Sequence, residues 1–279
     1  MTSSSTPPPS GEMLSIVVPV FNEERSVRAI VSRLLAVRFP IPFEVIAVDD
    51  GSTDRSAALL DELMREHPGV LRACYSGRNV GKGAALRIGF AQARGTILTV
   101  QDADEEYRPE EFVDLLSPIL ARQADVVYGS RYKGGLNRVG FLNRVGNGFL
   151  SLVTSLLYGR WITDMETCYK VFRRSVLDSI VLSSTGFEIE PELTVKFIRA
   201  GHRIVELPIH YDPRTKQGGK KIRYFKDGWI ALSWLVALRV SRGGAGPWPI
   251  ERLLAGLVVK GPDGVLVPSA APAPGDPRA

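Results

Sequence analysis

Over the first two thirds of the chain, short apolar runs alternate with segments whose apolar residues recur every three or four positions. The runs are continuous rather than alternating, which is typical of strands buried on both faces of a sheet. They cover residues 14–21, 43–48, 70–75, 96–101 and 126–129. The segments between them have the spacing of amphipathic helices. This strand–helix alternation predicts an α/β fold, a Rossmann-like and mostly parallel twisted sheet with helices on both faces.

Farther along the chain, the same patterns predict three more helices and two more strands. The helices are expected over Phe141–Tyr158, residues 188–200 and Tyr224–Val240. One strand is expected at the end of residues 164–172 and the other over residues 203–210. No uninterrupted apolar stretch reaches about 18 residues, so a membrane-spanning helix is not expected.

The two ends of the chain differ in composition from its middle. Residues 1–11 are rich in Ser, Thr and Pro and lack the cationic start and apolar run of a secretory signal. Residues 241–279 are rich in Pro, Gly and Ala. We expect tails at both ends, disordered over residues 1–11 and from about Gly261 onward, and one domain over residues 12–240.

The charge and the cysteines narrow the classes of function. A net charge of +5 suits anionic ligands such as nucleotides, lipid phosphates or a membrane surface. The basic residues are scattered and no nucleic-acid module is present, so a nucleic-acid partner is not expected. Cys74 and Cys168 belong to no CxxC or Cys/His cluster, which predicts two buried reduced thiols in a cytosolic protein rather than a zinc site or a disulfide.

Polar clusters follow four of the predicted strands. They are Asn22-Glu23, Asp49-Asp50-Gly51-Ser52, Asp102-Ala103-Asp104 and Gly129-Ser130-Arg131. Ligands of parallel α/β sheets bind beyond the carboxyl ends of the strands. The four clusters are therefore expected at one edge of the sheet, where they form a single binding site.

Asp102 and Asp104 lie two residues apart at a strand end, so their side chains are expected to point the same way, with Ala103 opposite. Two carboxylates aimed into one cleft repel each other unless a cation joins them. Their hard oxygen atoms suit Mg²⁺ or Mn²⁺, which can also bridge phosphate oxygens. The alternative is a solvated acidic turn that runs into Glu105 and Glu106, and Asp-x-Asp alone does not decide between the two.

Two other turns are candidates for nucleotide contacts. Asp50 can accept hydrogen bonds from a base or a ribose, although a plain Asp/Gly turn explains it equally well. Asp54 is expected to cap the next helix. The segment from Asn79 to Gly83 is glycine-rich but lacks the Lys-Ser/Thr ending of a Walker loop. We expect it to let the chain turn tightly and begin a helix near the ligand.

Three basic residues are candidates for neutralising phosphate, namely Arg131 at a strand end and Arg214 and Lys220 on either side of Gly218-Gly219. The alternative is that these are ordinary solvated charges. This applies especially to residues 214–221, because a loop rich in Gly, Lys and Arg is commonly mobile.

Four further carboxylates lie outside the acidic turns. Asp164, Glu188 and Glu190 are expected to be either acid/base groups or structural partners, and Glu192 is expected on a helix surface.

Taken in order, five motifs resemble the family 2 glycosyltransferases of the GT-A fold. They are Val17-Val18-Pro19-Val20-Phe21-Asn22-Glu23, Val48-Asp49-Asp50-Gly51-Ser52-Thr53-Asp54, Asn79-Val80-Gly81-Lys82-Gly83, Asp102-Ala103-Asp104 and Gly129-Ser130-Arg131-Tyr132. Within that family the chain is similar to the dolichyl- or polyprenyl-phosphate mannosyltransferases, the dolichol-phosphate mannose synthase-like group. The resemblance extends over residues 14–240.

The resemblance implies a role for each matching residue. The nucleoside would be held by Pro19, Phe21 and Glu23, and its base and ribose would be contacted by Val48 and Asp50. The metal and the diphosphate would be bound by Asp102 and Asp104, with Ala103 between them and Glu106 as a further metal ligand. The donor diphosphate and the acceptor phosphate would meet Arg131, Arg214 and Lys220. The catalytic set implied is Asp102, Asp104 and Arg131.

The resemblance also implies an activity. It is inverting transfer of a hexose, first of all mannose from GDP-mannose, to a polyprenyl monophosphate with Mg²⁺ or Mn²⁺, by a cytoplasmic protein peripheral on the cytoplasmic face of a membrane. The segments 164–170 and 187–192 resemble a bacterial and archaeal subgroup whose sugars vary, so UDP-glucose or another nucleotide sugar is an alternative donor.

Three other interpretations of the sequence stay open. One is transfer to a soluble sugar or protein, which needs a carboxylate base such as Glu188 or Glu190. The second is a different class, a nucleotidyltransferase or a nucleotide-sugar sensor. The third concerns the helices Phe141–Tyr158 and Tyr224–Val240, which carry apolar faces flanked by Lys and Arg. Part of each is expected in the core, and the alternative is a helix that lies on the bilayer surface.

Overall fold

A computed structural model describes residues 11–133, 139–214, 224–240, 258–260 and 266–268. The strands of these segments form one sheet. They are β1 (Leu14–Val20), β2 (Phe43–Asp49), β3 (Leu71–Tyr75), β4 (Ile97–Val100), β5 (Val126–Ser130), β6 (Lys170–Arg173), β7 (Ile204–Pro208), β8 (Val258–Lys260) and β9 (Leu266–Pro268).

The helices follow the predicted pattern closely. They are α1 (Val27–Leu35), α2 (Ser56–Glu66), α3 (Lys82–Gln92), α4 (Phe112–Leu120), α5 (Phe141–Tyr158), α6 (Arg174–Asp178), α7 (Ile189–Arg199) and α8 (Tyr224–Val240). Two details differ from the sequence-based expectation. Proline favours the first turn of a helix, so Pro109 predicts a helix start, but it begins a single 3₁₀ turn and α4 starts at Phe112. The short helix α6 was not predicted.

The strands are arranged in the order β7-β5-β6-β4-β1-β2-β3-β8-β9. Parallel pairing joins β4, β1, β2 and β3, and also β5 and β7, so the predicted mostly parallel α/β sheet is confirmed. The exception that matters for the site is β6, which lies antiparallel between β4 and β5. Because β6 runs in the opposite direction, its first residue, Lys170, lies opposite Tyr128 near the carboxyl end of β5. The segment that precedes β6 is thereby brought to the ligand edge.

The start of α2 illustrates how the polar turns are fixed. One carboxylate oxygen of Asp54 accepts a hydrogen bond from the backbone N–H of Ser56, at 2.9 Å. The other accepts from the backbone N–H of Glu24, at 3.1 Å. Asp54 therefore stabilises the first turn of α2, as predicted, and also ties the end of β1 to the end of β2.

The C-terminal segment departs from the expectation of a tail over residues 241–279. Within it, β8 pairs antiparallel with β3, and β9 pairs antiparallel with β8. The prediction is wrong for these two short strands. Its basis was composition, whereas a three-residue strand at a sheet edge is held by backbone hydrogen bonds that composition does not report.

Two apolar clusters form the interior. The larger lies on both faces of the sheet. The smaller lies between α5, α7 and α8, and its buried members are Leu150, Ile162, Met165, Val195, Ala231, Leu235 and Leu238. One face of α5 and one face of α8 are therefore core, as expected for part of each helix.

Neither cysteine takes part in a disulfide. Cys74 and Cys168 are both buried, and burial raises the pKa of the Cys74 thiol to about 12. None of the helices in the described segments combines the length and the apolar character needed to cross a lipid bilayer.

Candidate active site

A cavity of about 510 Å³ opens beyond the carboxyl ends of β1, β2, β4 and β5. Most of the residues predicted for the site line it. They are Pro19, Phe21, Glu23, Asp50, Asp102, Ala103, Asp104, Glu106, Arg131 and Arg214. The four polar clusters therefore meet at one edge, because parallel strands present their carboxyl ends to the same side.

Two predicted residues are not among them. Val48 has no exposed surface, since it lies inside β2 with helices over both faces of the sheet. A contact between the Val48 side chain and the base or ribose is therefore excluded in this conformation, and that expectation is wrong. Lys220 lies outside the described residues.

Asp50 connects the end of β2 to the loop before α3. Its two carboxylate oxygens accept hydrogen bonds from the backbone N–H groups of Val80, at 2.7 Å, and Gly81, at 2.9 Å. Gly81 has φ +96°, and a Cβ atom there would lie 2.3 Å from the carbonyl oxygen of Thr185. The predicted tight turn is thus confirmed, and it is the carboxylate of Asp50 that fixes it at the cavity wall.

A chain of ion pairs continues from this loop into the cavity floor. Lys82 places its ammonium nitrogen 2.9 Å from Oδ1 of Asp102 and 3.1 Å from Oε1 of Glu190. The other oxygen of Glu190 is bound by the ammonium group of Lys170. Burial alone would raise the pKa of Glu190, but Lys170 and Lys82 outweigh it and lower the pKa. Sequence reasoning missed Lys82 as a site residue, although it lies inside a motif that was singled out.

Asp104 is crowded by negative charge. Burial raises its pKa to about 7, and the charges of Asp102 and Glu106 add to the effect. Asp102 is paired with Lys82, whereas the charge of Asp104 is opposed by burial and by two acidic neighbours. This is the electrostatic arrangement that a divalent cation relieves.

Glu106 is turned toward another loop. Its Oε2 accepts a hydrogen bond from the hydroxyl group of Tyr211, at 2.8 Å, and its Oε1 accepts from the backbone N–H of Arg214, at 2.9 Å. Its role here is to hold the segment after β7 over the acidic turn. The predicted role of Glu106 as a metal ligand stays a prediction.

Arg214 reaches across the acidic turn to the end of β1. Its Nε donates to the carbonyl oxygen of Asp104 at 2.8 Å, and its Nη2 lies 2.8 Å from Oε2 of Glu23. Arg214, which is more than a hundred residues away in sequence, is thereby held beside the two aspartates.

Arg131 forms a two-point ion pair with a carboxylate on the segment before β6. Its Nε and Nη2 lie 2.8 Å and 2.7 Å from the two oxygens of Asp164, and its backbone N–H also donates to Asp164. The guanidinium group is 5.2 Å from the ring centre of Tyr211. Burial opposes the charge, but Asp164 keeps the pKa of Arg131 well above its ordinary value. Asp164 is therefore a structural partner of Arg131.

Two other carboxylates singled out in the sequence, Glu188 and Glu192, also have hydrogen-bond partners. One oxygen of Glu188 accepts from the backbone N–H groups of Thr185 and Gly186, so it stabilises the turn before α7. The expectation of a surface position for Glu192 is wrong. It is fully buried and accepts hydrogen bonds from Ser183 and Ser184, because α7 is covered by the segment that precedes it.

Glu166 lines the cavity and was not singled out in the sequence. Its Oε1 is buried and has no hydrogen-bond partner in the part of the chain that the structure describes. Burial raises its pKa to about 7, and the charge of Glu190 adds to the rise. Its place in the segment between Asp164 and β6 was the available signal.

The residues present fit a divalent cation whose coordination shell is completed by a phosphate ligand. Asp102 and Asp104 offer hard carboxylate oxygens to the cavity, and burial together with the charges of Asp102 and Glu106 raises the pKa of Asp104. Within the described residues, no group of three or more His, Cys, Asp or Glu side chains forms a metal cage. Phosphate oxygens would have to supply further ligands, as Mg²⁺ commonly requires.

A model of the family described as "Glycosyl transferase family 2" matches residues 15–181, which include the four strand-end clusters. The chain belongs to glycosyl transferase family 2. This family 2 member is 34% identical over 225 residues to a polyprenol monophosphomannose synthase of Mycolicibacterium smegmatis, with 75% of this chain and 82% of the relative covered. It is a glycosyltransferase, and the predicted resemblance is confirmed.

Other curated relatives of this family 2 chain carry different sugars in their names. It is 32% identical to a dodecaprenyl-phosphate galacturonate synthase of Rhizobium johnstonii, with 72% of this chain and 59% of the relative covered. It is 30% identical to the hexosyltransferase Agl6 of Haloferax volcanii, with 80% and 53% covered. The chain thus spans little more than half the length of these two relatives.

A solved structure supports the fold. The glucosyl-3-phosphoglycerate synthase of Mycobacterium tuberculosis, crystallised with Mn²⁺, UDP and glucosyl-3-phosphoglycerate, superposes with a TM-score of 0.64 at 20% identity. The superposition covers 82% of this chain and 80% of the other. At this identity the likeness establishes the GT-A fold and nothing finer.

Proposed function

We propose that this glycosyltransferase transfers a hexose from a nucleotide sugar to a polyprenyl monophosphate, with inversion at the anomeric carbon. The observation that carries the proposal is the lining of the cavity. It combines two carboxylates, Asp102 and Asp104, after β4 with an arginine, Arg131, after β5, and its apolar side includes Leu150 of α5 and Ala231 of α8. We take the two carboxylates as the diphosphate anchor. One cavity thus offers sites for a diphosphate, a second phosphate and a lipid chain.

Mannose from GDP-mannose is our first choice of donor. The 34% identical relative is named as a polyprenol monophosphomannose synthase and is covered over 82% of its length. UDP-glucose or another nucleotide sugar is the alternative, since other relatives are named for galacturonate and for 4-deoxy-4-formamido-L-arabinose. We place the nucleoside beside Pro19, Phe21 and Glu23, at the β1 end of the cavity.

The reaction breaks the bond between the anomeric carbon and the donor diphosphate and forms a bond to an oxygen of the acceptor phosphate. Asp102 and Asp104 would hold Mg²⁺ or Mn²⁺, which would supply positive charge for the leaving diphosphate. Lys82 and Arg214 add positive charge beside the same two residues. Arg131, oriented by Asp164, binds a phosphate from the other side.

No dedicated base is required for this acceptor, because a phosphate monoester is already an anion at neutral pH. The alternative, a hydroxyl acceptor on a soluble sugar or protein, needs a base. Glu190 is held by two lysines and Glu188 by two backbone N–H groups. Both candidate bases are thus engaged in other contacts, which favours the phosphate acceptor.

An exposed apolar stripe on α5 supports a site at the membrane surface. It consists of Phe141, Val145, Phe149, Leu152 and Leu156, which lie on one face at spacings of three and four residues. On α8, which packs beside α5, Trp229, Val236 and Val240 are also exposed. We propose that this surface, the α5–α8 apolar face, rests on the bilayer that contains the acceptor lipid.

Transfer of label from a nucleotide sugar to lipid tests the proposal. GDP-mannose, UDP-glucose and UDP-GlcNAc would each be offered with Mn²⁺ and a short polyprenyl phosphate. We expect one donor to label the lipid, and the double substitution of Asp102→Ala with Asp104→Ala to abolish the labelling. The matched control is Asp114→Ala with Asp178→Ala, two exposed aspartates outside the cavity.

Two outcomes contradict the proposal. One is near-native transfer by the Asp102→Ala, Asp104→Ala protein. The other is label that reaches a soluble sugar or a protein while the polyprenyl phosphate stays unlabelled with every donor.

A further inference from the structure

Glu166 is a cavity-wall carboxyl group whose position is fixed by its backbone. Its own N–H donates to Oδ1 of Asn147, at 3.2 Å, and the N–H of the preceding Met165 donates to Oγ of Ser151, also at 3.2 Å. Both acceptors lie on α5. The segment is anchored on its other side by Glu206, which accepts from the backbone N–H of Asp164 at 3.1 Å. The carboxyl group is therefore presented to the cavity from a fixed backbone.

Two cations of the described segments act on Glu166, and each is engaged with another carboxylate. Arg131 is paired at two points with Asp164. Lys170 binds Glu190 and also donates to the carbonyl oxygen of Met165 at 3.1 Å. Arg131 and Lys170 are thus paired with Asp164 and Glu190 rather than with Glu166. The Oε1 atom of Glu166 has no hydrogen-bond partner among the described residues. A buried oxygen without a hydrogen bond destabilises the folded protein unless a ligand supplies a donor.

The chemistry of the substrates indicates which part of them meets Glu166. The donor diphosphate and the acceptor phosphate are both anions, and a carboxyl group repels them or offers them little. The nucleoside belongs at the β1 end, beside Pro19. Glu190 interacts with both the diphosphate anchor and Glu166. Its charge acts on Glu166, and Lys82 bridges it to Asp102. The group expected between the diphosphate anchor and Glu166 is the sugar, whose hydroxyl groups are uncharged donors.

We propose that Glu166 accepts a hydrogen bond from a hydroxyl group of the transferred sugar and thereby selects an uncharged hexose over a uronic acid. This inference rests on the proposed function, since it takes the cavity to bind a nucleotide sugar. Rotation about the last side-chain torsion presents either carboxyl oxygen, because that torsion has a broad energy profile. A uronic acid would instead place a carboxylate among Asp164, Glu166 and Glu190, where the described cations Arg131 and Lys170 are already paired.

Calorimetric binding with Mn²⁺ separates the sugar from the nucleotide. The ligands are GDP, GDP-mannose and GDP-mannuronate, and UDP, UDP-glucose and UDP-glucuronate. The proteins are the native chain, Glu166→Ala, Glu166→Gln and the control Asp178→Asn, which changes an exposed carboxylate outside the cavity. A thermal melt of each variant shows that it is folded.

We expect Glu166→Ala to weaken binding of the preferred neutral nucleotide sugar by about tenfold or more, the effect of one hydrogen bond to a charged group. Binding of the corresponding nucleoside diphosphate should stay within about twofold of native, as should all binding by Asp178→Asn. Glu166→Gln should retain most of the affinity for the neutral sugar, because an amide oxygen still accepts. It should bind the nucleotide uronate at least about threefold better than native, since one repelling charge is gone.

Several results overturn the inference. One is equal loss of nucleoside diphosphate and nucleotide sugar, which indicates a purely structural role. Another is unchanged discrimination in both variants, or a native protein that binds no nucleotide sugar better than its nucleoside diphosphate. A third is loss of turnover in both variants with unchanged binding, which indicates a base.

The lipid-transfer assay distinguishes this inference from the proposed function. Transfer to polyprenyl phosphate with unchanged sugar discrimination in the Glu166 variants refutes the inference alone. Sugar discrimination that depends on Glu166, without any transfer to lipid, supports the inference and refutes the lipid acceptor.

Discussion

Lys82 at the start of α3 lies 2.9 Å from Asp102 at the end of β4, and the same ammonium group lies 3.1 Å from Glu190 of α7. The consecutive elements α3 and β4 therefore share one buried charge cluster with α7, which lies much later in the chain. The Lys82 side chain is 13% exposed and that of Glu190 is 5% exposed, so water screens this contact little. The acidic anchor thus has a built-in cation beside it.

Replacement of Lys82 by Met should destabilise the fold and weaken donor binding. Among the described residues it leaves Glu190 with one lysine and Asp102 with none, and loss of one partner from a buried ion pair costs about 3–5 kcal/mol. We expect a lower free energy of unfolding in urea and a nucleoside diphosphate affinity reduced about tenfold.

The matched control is Lys133→Met. Lys133 lies 3.9 Å from Glu206 and is 42% exposed, so its loss should change stability by less than about 1 kcal/mol. Equal stability of the two variants would contradict a stabilising role for the Lys82 cluster.

Asp164→Asn should impair phosphate binding by Arg131. The change removes the charge that orients the guanidinium group through two parallel contacts, at 2.8 Å and 2.7 Å. We expect kcat/KM for the polyprenyl phosphate to fall by about 10- to 100-fold, while KM for the donor changes little. Asp125→Asn is the control, because it alters an arginine–aspartate contact at 3.4 Å in which the aspartate is 58% exposed. A fall confined to the donor KM would assign Arg131 to the donor.

Metal and nucleotide should bind cooperatively. Asp102 and Asp104 supply only part of a coordination shell, and the diphosphate supplies further oxygens. We expect calorimetry to show Mn²⁺ binding about tenfold tighter with GDP or UDP present than without. EDTA should abolish sugar transfer, and excess Mn²⁺ should restore it. The same Mn²⁺ affinity with and without nucleotide would contradict a shared site.

The α5–α8 apolar face should control membrane association. Val145 and Phe149 are each 53% exposed on adjacent turns of α5. Val145→Ser with Phe149→Ser should reduce co-sedimentation with anionic liposomes about tenfold, because two large apolar groups no longer leave water on binding. Val181→Ser is the control, since Val181 is 64% exposed but lies outside both helices. Liposome binding that is the same for all three proteins would argue against this surface.

Because of Glu192, the free energy of unfolding should fall as the pH becomes acid. Burial opposes its charge, but hydrogen bonds from Lys196, Ser184 and Ser183 prevail and lower its pKa in the folded protein. The charged form therefore stabilises the fold above the ordinary carboxyl pKa of about 4.3, and this contribution is lost as the pH falls through the lowered pKa.

Glu192→Gln should accordingly be less stable than native by about 1–3 kcal/mol at pH 7, with the gap shrinking below about pH 4. Urea unfolding between pH 7 and pH 3.5 measures this. Glu66→Gln, in a pair whose glutamate is 50% exposed, should show little gap at any pH. A gap for Glu192→Gln that is constant with pH would refute the charged-state explanation.

The sequence by itself determined the order of the elements from β1 to α8, apart from the short helix α6, and the edge at which the site lies. Helices such as α5 and strands such as β2 follow from apolar spacing, which is a local property of the chain. The anchor at Asp102 and Asp104 and the arginine at Arg131 were predictable because each directly follows a buried strand, and parallel strands bring such positions together.

Only the tertiary structure decided which charges meet. Because β6 runs antiparallel to β4 and β5, the segment before it brings Asp164 and Glu166 to the ligand edge. The direction of β6 depends on its pairing with these strands rather than on its own apolar pattern. The burial of Val48 likewise depends on what covers β2. The contact between Lys82 and Glu190 joins residues more than a hundred positions apart, and such contacts arise from the packing of whole elements, which no local spacing encodes.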